Sequence, residues 1–269
     1  MSTAPKLLFV GGGQMAQALA GGMIRGGIDP KTIQVVEPDD SAAAIWSQRH
    51  PEVQRVQLAS GLASCDIVVI AVKPPVVPVV AKSIERWSGK LIVSIAAGVT
   101  LERLEQWFGT WRLAQVMPNT PALVGSGVAG YCVGREATEA DRQWVAEALS
   151  SVGTAVEVAP SQMSAVTAVS GSGPAYVCLM IEAMADAGVA AGLPRKLAMQ
   201  LATETVAGAA RWVADTPIHP AAGKDAVSSP SGTTIAGVTA LEQNGFRAAI
   251  MAAVAAAAAR AEALAKTSE

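Results

Sequence analysis

Apolar residues follow two rhythms along this chain, and the change falls near residue 160. Before it, the short, nearly continuous apolar runs Leu7–Val10, Ile33–Glu37, Ile67–Val72, Leu91–Ile95 and Leu113–Met117 predict strands. Between them, Met15–Arg25, Ala42–Arg49, Val76–Trp87 and Leu101–Trp107 read as helices or helical turns. Strands that are apolar on both faces and alternate with helices predict a parallel sheet covered on both sides. Gly127–Val133 and Thr154–Val158 are expected as additional edge strands flanking a helix at Glu139–Ser150. After Pro160, helical spacing takes over. Tyr176, Met180, Ala183 and Ala187 share a face, and Ile235, Val238 and Leu241 recur at helical intervals. The expectation is an α/β domain over residues 1–160 and an all-α domain over residues 161–269. The last helix, Phe246 to about Lys266, has long Ala-rich faces and too little chain after it to cover them, which predicts burial against another subunit.

Composition adds limits. The 269 residues suffice for two modest domains, and a chain 51% apolar but only 4% aromatic suggests close helix–helix packing. A net charge of −2 without a basic run argues against a nucleic-acid partner. Cys65, Cys132 and Cys178 lie far apart in apolar segments, with no CxxC pair and no His at metal spacing. They read as buried free thiols, and no metal site is expected. Met1–Lys6 lacks the profile of a secretory leader. The longest uncharged helical run, Ala248–Ala259, is about half the ~20 residues a membrane span needs. A cytoplasmic protein without membrane segments is the resulting expectation.

Candidate chemistry begins directly after the first predicted strand. Gly11-Gly12-Gly13-Gln14-Met15-Ala16 has the strand, glycine turn and helix context of a dinucleotide fingerprint, so the first domain is expected to be of Rossmann type. Gly11 would allow the tight turn and Gly13 the close approach of a pyrophosphate. N–H groups at the helix start would face its charge. Glu37 ends the second strand about 20 residues on, where an acid bonds the adenine-side ribose. It reads either that way or as an ordinary acidic turn. With Asp39 and Asp40 beside it and no neighbouring Arg or Lys in the sequence, the segment should repel a 2′-phosphate and, taken alone, favours NADH. Ala71-Val72-Lys73-Pro74, Ala96-Ala97-Gly98 and Met117-Pro118-Asn119 follow three further strands and share the carboxyl rim of the sheet, where ligands bind in this architecture. Asn119, between two prolines, is expected to present its amide to the nicotinamide end.

Two segments of the helical domain have the same grammar. Ser170–Tyr176 and Ser228-Ser229-Pro230-Ser231-Gly232-Thr233-Thr234 each predict a helix start rich in hydroxyls and free N–H groups, suited either to simple capping or to holding a small carboxylate. Taken with Ala165–Tyr176, Ala187–Val189, Gly192–Arg195, His219-Pro220 and Val227–Ile235, and with Gly11–Met15, Val72–Pro74 and Met117–Pro121, the chain resembles the pyrroline-5-carboxylate reductases over essentially its whole length. It departs at Gln14 (usually Asn), Gln115 (usually Arg), Glu204 (usually Gln) and Ser231, which replaces the first Gly of SPGGTT. Because a Ser prefers ordinary φ, the loop is expected to avoid a Gly-only conformation.

The resemblance implies reduction of a cyclic imine to L-proline, the last step of proline biosynthesis, with NADPH or NADH. It places the carboxylate on backbone N–H groups of the loop Ser229–Thr233 and the ring nitrogen at Thr234. It also implies a homodimer whose active site joins one subunit's nucleotide domain to its partner's helical domain, and further assembly to a decamer. Pyrroline imines take a proton from water near neutral pH, so no His acid is needed, and neither His50 nor His219 is assigned one. Two other readings compete. A β-hydroxyacid dehydrogenase-type reductase would need a Lys on the long helix, and none lies between Ala175 and Val189. A non-catalytic dinucleotide-sensing dimer would not need the loop ending at Thr234.

Overall fold

The computed structural model describes residues 5–84, 90–109 and 112–267. Most of Met1–Lys6 and the end of the helix expected through Trp87 lie outside the described residues. The first unit is built on eight strands: β1 (Leu7–Val10), β2 (Ile33–Val36), β3 (Gln54–Arg55), β4 (Ile67–Ile70), β5 (Leu91–Ser94), β6 (Arg112–Met117), β7 (Gly127–Val133) and β8 (Gly153–Glu157). They pair in the order β3-β2-β1-β4-β5-β6-β7-β8, and every pair is parallel except β6–β7. β7 therefore lies inside the sheet, whereas the sequence suggested an edge. Its antiparallel register with β6 turns the chain back.

The helices of this unit are α1 (Gln14–Arg25), α2 (Asp40–Arg49), α3 (Leu58–Ser64), α4 (Val77–Ile84), α5 (Leu101–Phe108), α6 (Glu139–Ser150) and α7 (Met163–Val166). Strand alternation sorts the core into two layers. Leu7 and Phe9 pack with Leu19, Met23 and Trp46 on one face, while Leu8 and Val10 pack with Val77, Leu104 and Phe108 on the other. β1 is fully buried on both faces, as its unbroken apolar run requires. β3 is two polar residues and α3 a short helix with Gly61 at its centre, so neither announces itself in sequence.

The second compact unit covers Gly173–Ala256, and the first takes in Met1–Ser172 and Ala257–Glu269. Its helices are α8 (Gly173–Ala190), α9 (Arg195–Asp215), α10 (Pro220–Ala226), α11 (Thr233–Gln243) and α12 (Phe246–Thr267), whose last turns belong to the first unit. α8 and α9 meet through fully buried Ala185, Ala198 and Ala202, close packing that small side chains permit. Little else in this unit is buried. Val177, Leu179, Met184, Leu201, Leu241 and Met251 are exposed. Cys178 is exposed too, a departure from the expectation of three buried thiols; Cys65 and Cys132 are buried, and burial pushes each thiol up to about 11.

Pro160–Ala190 and Phe246–Lys266 are each long and apolar enough to cross a membrane by length and composition alone, so the short uncharged run Ala248–Ala259 understates the second. A long helix whose apolar face is covered by a protein partner passes the same test.

Candidate active site

The order reversal between β1 and β4 opens a crevice at their carboxyl ends, the place where this architecture takes ligands. Gly11 sits in it with φ +101°, and a Cβ there would lie 2.7 Å from the Ala71 carbonyl oxygen, so glycine is required twice over. Val72 flanks the same spot, with a γ-carbon 3.0 Å from that Cβ position. Gly13 is different. It caps α1 with extended backbone and no side-chain bond, and nothing lies within 4 Å of its Cβ position. That open space beside a helix start is a cradle that a pyrophosphate can enter. Gln14 is exposed and Met15 half-buried at its lip.

Gly12 is clamped between them. Its N–H donates to Glu37 Oε2 at 2.7 Å, and its carbonyl accepts from Trp46 Nε1 at 2.7 Å and Gln17 Nε2 at 3.0 Å. Arg49 in turn donates to Gln17 Oε1. A trans peptide points its N–H opposite its carbonyl, so holding the Gly12 carbonyl inward aims the Gly13 N–H outward. Trp46 and Gln17 were not among the expected site residues, because no local pattern marks a side chain whose partner is up to 34 residues away. His50 stacks on the edge of Trp46 with ring centroids 5.6 Å apart, and burial holds its pKa below the ordinary histidine value.

At the end of β2, Glu37 also accepts from the Asp39 N–H at 2.9 Å. The expectation of no neighbouring cation here is corrected by β3. Pairing parallel to β2, it brings Arg55 to the Glu37 and Pro38 carbonyls and to Asp40. Asp39 caps α2, and its bonds from Ser41 and Ala42 lower its pKa further.

Further along the rim, Lys73 is exposed and Pro74 half-buried. Ala96 is buried, Ala97 exposed, and Gly98 turns with φ +77°. A crevice of about 280 Å³ opens beside Ala96 and Gly98, bounded by Met117, Ser164 and Ala261. Asn119 departs from its expected task. It is buried, its Nδ2 donates to the Ser170 carbonyl at 3.0 Å, and its Oδ1 accepts from the Val128 N–H at 2.8 Å. The amide thus ties β7 to the segment before α8 and does not present itself to a ligand. Gln115 is likewise internal, with Oε1 accepting from the Leu101 N–H.

The two hydroxyl-rich segments part ways. Thr167–Gly171 forms a π-turn that joins α7 to α8, with the Ser172 N–H bonded to the Thr167 carbonyl. α8 does open inside Ser170–Tyr176, at Gly173 with Pro174 in its first turn, but the π-turn takes up the Ser172 N–H. Ser228–Thr234 keeps its open end. Ser229, Pro230, Ser231 and Gly232 form a turn closed by Gly232 N–H to Ser229 O at 3.0 Å. Ser231 stands at φ +58°, so the loop does adopt the left-handed conformation it was expected to avoid. With Pro at the second turn position, the third must take positive φ in a type II turn, and no Gly is there to take it. Gly232 caps α11 without a side-chain bond, which leaves first-turn N–H groups at Thr233 and Thr234 facing outward. Among the described residues no cluster of three or more His, Cys, Asp or Glu could hold a metal ion.

A glycine-clamped switch-point crevice followed by a helical unit defines a dinucleotide-dependent oxidoreductase. A family model described as pyrroline-5-carboxylate reductase dimerisation matches residues 160–264, and one described as NADP oxidoreductase, coenzyme F420-dependent, matches residues 6–98. The pyrroline-5-carboxylate reductase of Arabidopsis thaliana is 42% identical over 97% of this chain and 96% of its own length. The solved structure from Coxiella burnetii superposes with a TM-score of 0.92 at 32% identity, covering 98% of this chain and 100% of that one. The Plasmodium falciparum enzyme, solved with NADP bound, gives 0.87 at 33% identity and covers 98% and 99%. The chain belongs to the pyrroline-5-carboxylate reductase family.

Proposed function

We propose that this chain reduces pyrroline-5-carboxylate to L-proline with a reduced nicotinamide dinucleotide. The observation that carries the reading is the pair of half-sites in one chain: the open cradle at Gly13 and the outward N–H groups of the Ser229–Thr234 turn. The cradle fits a dinucleotide, since Gly11, Gly12, Gly13, Gln14 and Met15 would hold its pyrophosphate and Ala71–Pro74 and Ala96–Gly98 would line its further path. When bound, that cofactor supplies the hydride.

The chain's own residues do the rest by position. N–H groups of Thr233 and Thr234 at the start of α11 donate to the substrate carboxylate, helped by the partial positive charge of the helix end. The half-buried Thr234 also holds the ring nitrogen by a hydrogen bond and steadies its proton. The imine is protonated from solvent, so no histidine is required. We further read the open apolar faces of the helical unit as a homodimer interface, with decamers as higher assemblies, and the protein as cytoplasmic.

The test is turnover of pyrroline-5-carboxylate with NADPH and NADH by wild type and Thr234→Ala. Wild type is expected to oxidise cofactor and form proline, while the folded variant loses about 10²-fold in kcat/KM. No cofactor oxidation by wild type with either cofactor overturns the reading, and full activity in the variant removes Thr234 from it.

A further inference from the structure

Beside the glycine turn, four charged residues gather: Glu37 and Asp39 from the turn after β2, Asp40 from the start of α2, and Arg55 from β3. Glu37 is anchored there at both oxygens. Each carboxylate oxygen is held by a backbone N–H, Oε2 by Gly12 and Oε1 by Asp39. Swinging it aside would strip the Gly12 N–H of its partner, and the Gly12 carbonyl is already fixed by Trp46 and Gln17. Its negative charge therefore stays at the edge of the dinucleotide crevice.

Arg55 brings the positive charge that a 2′-phosphate would need, but it is committed elsewhere. Its Nε donates to the Glu37 carbonyl at 2.8 Å, its Nη2 to the Pro38 carbonyl at 3.1 Å, and its Nη1 pairs with Asp40 at 2.7 Å. The guanidinium faces the acidic turn's own backbone. Three carboxylates thus stand against one neutralised cation. A ribose carrying two hydroxyls can donate to a fixed carboxylate, whereas a 2′-phosphate offers only acceptors and further negative charge.

We propose that this chain selects NADH over NADPH, with Glu37 as the fixed acceptor for the adenosine ribose and Asp40 as the residue that keeps Arg55 from receiving a phosphate. The proposal rests on the reading of Gly11–Gly13 as a dinucleotide turn. It does not depend on which imine is reduced.

Calorimetric titration with NAD⁺ and NADP⁺ tests it without turnover, and kcat/KM for NADH and NADPH gives a second readout. Wild type is expected to favour the non-phosphorylated cofactor by tenfold or more in both. Glu37→Gln keeps an acceptor for the Gly12 N–H while removing the charge, and should lower that ratio at least fivefold. Asp40→Asn, an exposed change, removes the counter-charge on Arg55 and should lower it as well, chiefly by tightening NADP⁺. Wild-type binding of NADP⁺ as tight as NAD⁺ or tighter overturns the proposal, and so does a ratio unmoved by both variants. Failure of the reductase reading looks different: both dinucleotides bind as expected, yet neither reduced form is consumed with pyrroline-5-carboxylate.

Discussion

At residue scale, Ser231 shows how a loop can keep its shape when the residue suited to it is missing. An L-residue with a side chain in the left-handed region carries roughly 1 kcal/mol of strain, which Gly avoids. Ser231 bears it because Pro230 fixes the preceding φ and the Gly232-to-Ser229 bond closes the turn. Ser231→Gly should therefore stabilise the protein by about 1 kcal/mol, raising Tm by about 2–4 °C at matched protein concentration. Differential scanning calorimetry reads it, and an unchanged or lower Tm would mean the turn is not strained at this position. The backbone N–H groups keep their places, so kcat/KM for the imine should change little. The glycine turn and the substrate loop were legible from residue type and spacing, because glycine and proline announce backbone geometry locally. Arg55, Trp46 and Gln17 were not, since their importance comes from strand pairing and helix packing that bring distant positions together.

At the scale of elements, the helix start at Ser170–Pro174 is also a joint. Ser170-Gly171-Ser172-Gly173-Pro174 has the composition of a helix start, yet the chain runs through it as a π-turn into α8. Proline in a helix cannot donate to the preceding turn, so carbonyls before it need other partners. Asn119 supplies one by donating to the Ser170 carbonyl, while its other end receives the Val128 N–H at the start of β7. One buried side chain thus satisfies two backbone groups on different elements. Asn119→Ala should leave both unpaired and destabilise the first unit by about 2–4 kcal/mol. In a urea titration the midpoint should fall with little change in slope, and the remaining folded protein should bind the dinucleotide normally. A large loss of cofactor affinity at unchanged stability would instead return Asn119 to the nicotinamide site.

At the scale of the whole molecule, the unresolved balance is apolar area. The second unit buries little beyond Ala185, Ala198 and Ala202, while Met251 is 72% exposed and Leu179 67%. Surfaces of that kind are covered in the working protein, and the dimerisation model that matches residues 160–264 spans them. A membrane could cover the same faces, and the length of α12 alone would not decide between them. The dimerisation model that spans most of the helix favours a protein partner, and Arg247, Arg260, Glu262 and Lys266 leave only Ala248–Ala259 as a long uncharged run. A second copy is the cover that homo-oligomer symmetry supplies most simply, through the same patch on both subunits. Light scattering without detergent should therefore give at least twice the 27.4 kDa chain mass. Leu179→Arg combined with Met251→Arg places like charges on that patch and should yield monomer with most of its activity gone. The first unit keeps its own core, so NAD⁺ binding should survive within a few-fold. A soluble, fully active monomer would show that these faces serve something other than the pairing of subunits.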